Sequence, residues 1–197
     1  MKKLALLLIV TVFLYTGCNK DNPSTEIQSK TFEVKSTSST AWTYFSFDKN
    51  DTIQASDPMS SGEWDLAFQR YRIKTNGGQS GKGQGAAANS YSTGLSGFNS
   101  LTVVPDTTTF VADAPVTIAV QQGYATYVVN PVLYTWFSIQ LASQGTQIVP
   151  SDYIYIVRTA RGRYAKVWFK SYYNAQNQSG HVSFQYKYQP DGSKNLE

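Results

Sequence analysis

The chain has 197 residues, of which 15% are charged and 14% aromatic, so its length suits one domain and its aromatic content argues against disorder. It contains one histidine, His181, and one cysteine, Cys18, which excludes a metal site built from several such residues and a framework of disulfide bonds. The net charge is +4, and no block of basic residues interrupts the sequence. Nucleic-acid binding therefore has little electrostatic support.

The N-terminus has the pattern of a leader. Two lysines precede an apolar run from Leu4 to Leu14, which is too short to span a bilayer as a helix and is typical of the core of a signal peptide. Small residues then precede Cys18, as in a bacterial lipoprotein signal, and the lysine-plus-acid segment that follows resembles the export tag of Bacteroidetes surface lipoproteins. We predict a signal peptide over 1–17, a lipid on Cys18 that anchors the protein to the outer membrane at the cell surface, and a flexible tether over 18–30.

Residues 31–190 are predicted to form one domain, followed by a tail over 191–197. Its first half shows the two-residue alternation of strands with one buried face. Phe32 and Val34 mark a first strand, the aromatic segment from Trp42 to Phe47 marks a second, and Glu63 to Thr75 is predicted as a third.

A glycine-rich segment follows from Asn76 to Asn89, with five glycines in fourteen residues. A phosphate-binding loop would need a glycine at position 76 and a serine or threonine at position 83, but these positions hold asparagine and glycine. We therefore interpret the segment as a loop whose glycines adopt positive φ or pack closely against a neighbouring chain segment.

The second half is also dominated by strand patterns. The segment from Val116 to Val120 fits a short helix or a strand, and the sequence does not decide between them. Tyr153 to Thr159 is β-branched and aromatic throughout, which indicates a central strand. Two alternating segments follow, around Val167 and over Val182 to Tyr188, and turns at Arg161-Gly162 and at 177–180 would join the last three strands into an antiparallel meander. The prediction is an all-β fold of many short antiparallel strands.

Several motifs together resemble the HmuY family, the haem-binding lipoproteins of Bacteroidetes. They are W-T-Y-F-S-F at 42–47, W-D-L-A-F-Q-R-Y-R-I-K-T-N-G-G-Q-S-G-K-G-Q-G at 64–85, Val157-Arg158 with Gly162 and 165–167, and the closing strand at 182–188. The resemblance implies a single hand-like domain in which finger hairpins hold one haem. It also implies that the protein takes up haem or a related porphyrin and passes it to an outer-membrane receptor, without catalysis.

The family's two iron ligands, usually His or Met, find no obvious counterparts. Anchoring the resemblance on Trp136 and Arg158 places the second ligand on Leu141, which cannot bind iron. The first ligand falls within 110–131, where no His, Met or Cys occurs. The resemblance therefore leaves five haem-pocket candidates, with the metal ligands unknown, and these candidates are Tyr124, Tyr127, Tyr134, Trp136 and Leu141.

His181 and Met59 are the remaining side chains that bind iron readily, and both are interpreted as solvent-facing loop or strand-end residues. Two functions stay open. The first is porphyrin binding through altered ligands or stacking alone; the second is a binding module that keeps the fold, has lost haem, and binds another ligand, a glycan or a protein partner. An enzyme is disfavoured, because one His, four Glu and no clustered carboxylates leave few general acids and bases.

Overall fold

The computed structural model describes residues 26–120, 122–143 and 145–197, so the predicted signal peptide and Cys18 lie outside the described residues. The described chain is all-β and confirms the predicted fold class. It forms thirteen strands and one short helix: β1 (Gln28–Lys35), β2 (Thr43–Ser46), β3 (Asp51–Ile53), β4 (Leu66–Gln69), β5 (Arg72–Thr75), β6 (Ala86–Thr93), α1 (Gly94–Ser100), β7 (Ala114–Val120), β8 (Gly123–Val129), β9 (Phe137–Ala142), β10 (Gly145–Pro150), β11 (Tyr153–Arg158), β12 (Tyr164–Tyr173) and β13 (Ser179–Gln189). A single 3-10 turn, Leu133–Thr135, precedes β9.

A five-stranded antiparallel sheet in the order β1-β13-β12-β11-β6 forms one layer of the domain. Its last three strands in sequence form the predicted meander, with Gly162 at φ +77° in the first turn and Asn177 at φ +58° in the second. β1 begins at Gln28 and therefore includes the last three residues of the segment predicted as a tether. Those residues pair in register with the end of β13.

A four-stranded sheet in the order β3-β2-β4-β5 forms the second layer. The prediction of one strand from Glu63 to Thr75 is wrong, because the segment folds back on itself as β4 and β5. Arg70 makes the turn at φ +54°, and its N–H donates to the carbonyl of Ser36 at 2.8 Å. The chain thus reverses without the glycine, proline or asparagine that usually marks a turn.

The core lies between the two sheets and is rich in aromatic side chains. Phe45 from the four-stranded sheet packs edge-to-face on Phe184 from the five-stranded sheet, with ring centroids 5.4 Å apart. Asp65 links the layers as well, since its carboxylate accepts the backbone N–H groups of Phe47 at 2.8 Å and Ala160 at 3.0 Å. Burial raises the pKa of Asp65 to about 7, although both hydrogen bonds oppose the shift.

The other face of the five-stranded sheet is covered by α1 and by the C-terminal residues. Lys166 points into this layer and is only 1% exposed. Its Nζ donates to the carbonyls of Phe98 and Leu101 at the end of α1, both at 2.7 Å, and burial lowers the pKa of Lys166 to about 8. Leu196 is fully buried beside Val104, so the end of the segment predicted as a tail packs against the domain.

The glycine-rich segment joins β5 to β6 and confirms the close-packing interpretation. A Cβ atom on Gly77 would lie 2.0 Å from the carbonyl oxygen of Gly85, and one on Gly83 would lie 2.5 Å from the carbonyl oxygen of Asn76. Gly78 has φ +59°. The segment leads into a strand rather than a helix, because β6 begins at Ala86.

Candidate functional site

Two hairpins, β7–β8 and β9–β10, stand outside both main sheets and each forms a separate two-stranded ribbon. The segment from Val116 to Val120, for which helix and strand remained open, is therefore a strand and part of β7. We call the two ribbons the first and second finger hairpins. Their positions correspond to the region in which the sequence placed the haem-pocket candidates.

The first finger hairpin separates two of the candidate tyrosines. Val116 pairs with Tyr127, and Ala119 pairs with Tyr124, three positions further along the ribbon. Because successive side chains of a strand alternate between faces, Tyr124 and Tyr127 lie on opposite faces. Tyr127 packs on the guanidinium of Arg72, 4.0 Å from the ring centroid, whereas Tyr124 is 79% exposed near the tip.

The second finger hairpin has one apolar face. Phe137, Ile139 and Leu141 alternate along β9 on this face, and Ile139 pairs with Ile148 of β10. Leu141 is 91% exposed near the tip. The position to which the resemblance assigns an iron ligand therefore carries an accessible aliphatic side chain on the apolar face.

Aromatic side chains fill the base of the second finger hairpin. The ring of Phe137 lies 4.9 Å from Tyr71 and 5.4 Å from Tyr134, measured between centroids. Trp136, another candidate, is fully buried, and its indole N–H donates to the carbonyl of Tyr71 at 2.8 Å. Trp136 thus belongs to the core beneath the aromatic base and presents no surface to a ligand.

A cavity of about 440 Å³ lies between the apolar face and the end of β12. Ile139 and Ile148 form one wall, and three tyrosines and one arginine contribute to the others: Tyr71, Tyr172, Tyr173 and Arg70. We call it the finger cavity. Among the described residues, its lining includes none from the first finger hairpin; the lining comes from β9–β10, from the turn between β4 and β5, and from the residues between the end of β12 and the start of β13.

Hydrogen bonds fix the polar groups of the finger cavity. The Nε of Arg70 donates to the hydroxyl of Tyr172 at 3.4 Å, and this hydrogen bond raises the pKa of Arg70. The backbone N–H of Ile148 donates to the hydroxyl of Tyr173 at 3.0 Å, which ties the second finger hairpin to β12. The cavity therefore combines aliphatic and aromatic side chains with one positive charge and with the polar side chains of Thr146, Asn177 and Ser179, and most of its exposed lining is polar.

Within the part of the chain that the structure describes, no His or Met side chain lines the finger cavity. The sequence has no His, Met or Cys between Met59 and His181. His181 bonds Glu33 through Nδ1 at 2.8 Å, between β13 and β1, and Met59 is half-exposed in the loop before β4. Among the described residues, no three His, Cys, Asp or Glu side chains are grouped as metal ligands.

A tyrosine hydroxyl is a poor ligand for iron while it stays protonated. Burial raises the pKa of Tyr134, and the neighbouring Tyr71 and Tyr127 raise it further, while the charge of Arg72 acts in the opposite direction. A raised pKa keeps the phenol protonated near neutral pH, whereas iron binding by tyrosine requires the phenolate. Tyr134 is therefore a weak candidate for a metal ligand.

Comparison with known proteins places the chain in a family. The model of the HmuY protein family matches residues 38–186. An apo HmuY analog from Tannerella forsythia has a TM-score of 0.63 and 24% identity, over 84% of this chain and 97% of that one. A protein from Bacteroides vulgatus, assigned as HmuY-like and haem-binding, has a TM-score of 0.62 and 24% identity, over 84% and 93% of the two chains.

A third solved structure, assigned as a lipoprotein of Bacteroides fragilis, has a TM-score of 0.59 and 25% identity, over 80% of this chain and 89% of that one. No curated protein matches the chain. Among the described residues, no helix has the length and apolar character needed to cross a membrane.

Proposed function

The chain belongs to the HmuY family, and on that basis we propose that it binds haem or a related porphyrin. The observation that supports this function is the finger cavity, in which an apolar hairpin face stands opposite tyrosine rings and the guanidinium of Arg70. A porphyrin presents a broad apolar ring and carboxylates, and these match the two kinds of surface. A solved relative assigned as haem-binding adds support.

The porphyrin ring, rather than its iron, provides the attraction in this proposal. Ile139, Ile148 and Tyr71 would hold the ring, and Arg70 would hold a carboxylate. Haem iron, when present, supplies a Lewis-acidic centre that would need a side chain with a lone pair, and Leu141 offers none. We therefore expect metal-free protoporphyrin IX to bind about as tightly as haemin.

Titration of the full chain tests this function. Haemin should shift the Soret band and quench tryptophan fluorescence in a saturable manner, and protoporphyrin IX should give a dissociation constant within about threefold of that of haemin. Ile139→Asp places a charge on the apolar face and should weaken both ligands at least tenfold. Ser138→Asp, on the opposite face of β9, is the matched control. An unshifted Soret band without saturable quenching would contradict porphyrin binding.

A second candidate function is a HmuY-type binding module that has lost haem. The observation that favours it is the exposed Leu141 at the position of an iron ligand. Such a module would hold another apolar ligand, a glycan or a protein partner between the same elements. A tight haemin complex of defined stoichiometry would exclude this alternative.

The cellular setting of the proposal follows from the leader. We propose that Cys18 is acylated, that the protein is anchored at the surface of the outer membrane, and that a receptor in that membrane accepts the porphyrin for iron acquisition. Labelling cells with an alkyne fatty acid tests the anchor, because Cys18→Ser should abolish both the label and membrane fractionation. Retention of the label in the variant would refute acylation at Cys18.

A further inference from the structure

A second cavity, of about 640 Å³, lies beside the outer edge of β6, and no described residue of either finger hairpin lines it. We call it the edge cavity. The chain between α1 and β7 pairs with β6 at Val111, which exchanges backbone hydrogen bonds of 2.9 and 3.0 Å with Ala87. Beyond that pair the two segments separate, and the cavity lies between Ala88–Ser92 on one side and Thr107–Thr109 on the other.

A bulge distorts β6 at this cavity. Asn89 pairs with Tyr155 and Thr93 pairs with Tyr153, so β6 carries two more residues than β11 between these pairs. Bulges leave the extra residues unpaired and redirect their side chains. The residues that β6 gains here are among those that line the edge cavity.

Tyr91 lies at the centre of this bulge and is held in an unusual conformation. Its φ is +60°, in the left-handed region that few residues other than glycine adopt, and its N–H donates to the side-chain oxygen of Asn89 at 2.7 Å. The Oγ of Ser90 donates to the carbonyl of Ile154 at 2.7 Å and fixes the bulge to β11. The ring of Tyr91 is 81% exposed at the edge of the cavity. The chain thus accepts backbone strain while presenting a large aromatic ring to solvent.

The chemistry of the edge cavity is uncharged. Its lining combines aliphatic side chains such as Val111 with hydroxyl and amide groups, and the described residues contribute no Asp, Glu, Lys, Arg or His to it. The nearest carboxylate along the loop, Asp106, is paired with Lys194 at 2.6 Å. Within the described chain, the hydroxyls of Thr107–Thr109 make no side-chain hydrogen bond to another residue, so they remain available to a ligand. A metal ion or an anion finds no opposite charge here.

We propose that the edge cavity binds a neutral sugar, with a pyranose ring stacked on Tyr91 and its hydroxyl groups bonded to the threonines of the loop. A pyranose has an apolar face of C–H groups and a rim of hydroxyls, which match an exposed aromatic ring beside uncharged polar side chains. The volume accommodates one or two such rings. This site is separate from the finger cavity and does not depend on porphyrin binding.

Saturation-transfer difference NMR on the full chain tests the proposal. The probes are the methyl glycosides of glucose, galactose, mannose and N-acetylglucosamine, with methyl glucuronide as the charged comparison. At least one neutral glycoside should give a saturable signal, and the glucuronide should bind at least fivefold more weakly than its glucose counterpart. Tyr91→Ala should reduce the affinity at least tenfold. Tyr124→Ala removes an equally exposed tyrosine from the first finger hairpin and should leave the affinity unchanged.

Thermal melting separates binding from folding in these variants. Tyr91→Ala should melt within about 2 °C of the parent, because its ring is mostly exposed. If it melts at a lower temperature, Thr107→Val takes its place as the test, because it removes one loop hydroxyl and should weaken sugar binding. The proposal is overturned if no neutral glycoside gives a saturable signal, if Tyr91→Ala binds as the parent does, or if Tyr124→Ala loses binding equally. Tyr91→Ala should bind haemin with the same affinity as the parent. A loss of sugar binding in the edge cavity can therefore be told apart from a loss of porphyrin binding in the finger cavity.

Discussion

Replacing Lys166 with methionine should lower the stability of the domain, because the buried ammonium satisfies two carbonyls at the end of α1. A hydrogen bond to a charged group contributes about 1.5–3 kcal/mol, and the two are lost together. Methionine keeps the apolar stem and removes the need to bury a charge, which offsets part of this loss. We therefore expect Lys166→Met to lower the free energy of unfolding by about 2–3 kcal/mol.

Urea and thermal unfolding at pH 7 measure the effect of this change. The melting temperature should fall by about 4–12 °C, since each kcal/mol shifts a domain of this size by about 2–4 °C. Lys82→Met, at an exposed lysine in the glycine-rich segment, is the matched control and should change stability by less than about 0.5 kcal/mol. A Lys166→Met protein as stable as the parent would refute the claim that the ammonium of Lys166 stabilises the end of α1.

The pH dependence of the difference in free energy of unfolding between the parent and Lys166→Met gives an independent check. The folded pKa of Lys166 is about 8, below its ordinary value of 10.5, so between these values the unfolded chain binds the proton that the folded protein has released. The contribution of Lys166 to the free energy of unfolding therefore rises with pH between about 8 and 10.5. The advantage of the parent over Lys166→Met should grow as the pH is raised from 8 towards 10.5. An advantage that shrinks over the same range would contradict the lowered pKa.

Three further changes address the core and the hairpins. In the parent, the raised pKa of Asp65 keeps the folded carboxyl protonated where the unfolded one ionises, so the free energy of unfolding falls as the pH rises from about 4 to 7. Asp65→Asn should remove this loss, and urea titrations across that range measure it. Leu141→His should tighten haemin at least tenfold and shift its Soret band, whereas Gln140→His, on the opposite face, should not. Trp136→Phe should cost about 2 kcal/mol in urea unfolding, through lost core volume and the lost hydrogen bond to Tyr71.

The strands were predictable where alternation was uninterrupted. The meander of β11, β12 and β13 follows directly from its two-residue period and its glycine-containing turns. The turn at Arg70 was missed, because tertiary hydrogen bonding to Ser36 rather than local turn chemistry reverses the chain there. Helix α1 has only seven residues, two of them glycine, and its sequence carries no helical period.

The candidate site was predictable in part. The sequence assigned its candidates to the finger segments, but it grouped Tyr124 with Tyr127, which the register of the first finger hairpin places on opposite faces. It also counted Trp136 as pocket-lining, whereas packing draws that indole into the core. Tyr71 and Arg70 were missed because they come from a turn more than sixty positions earlier in the chain. No local pattern signals that this turn faces β9–β10.

The separateness of the finger hairpins from the two sheets has a consequence for the cost of substitutions at their tips. Strands at the centre of a sheet are constrained from both sides, so a change there disturbs packing throughout the domain. A ribbon tip that contacts mainly solvent escapes that constraint, and Leu141 is the example here. A substitution at such a tip should therefore change the chemistry that the hairpin presents while leaving the free energy of unfolding nearly unchanged.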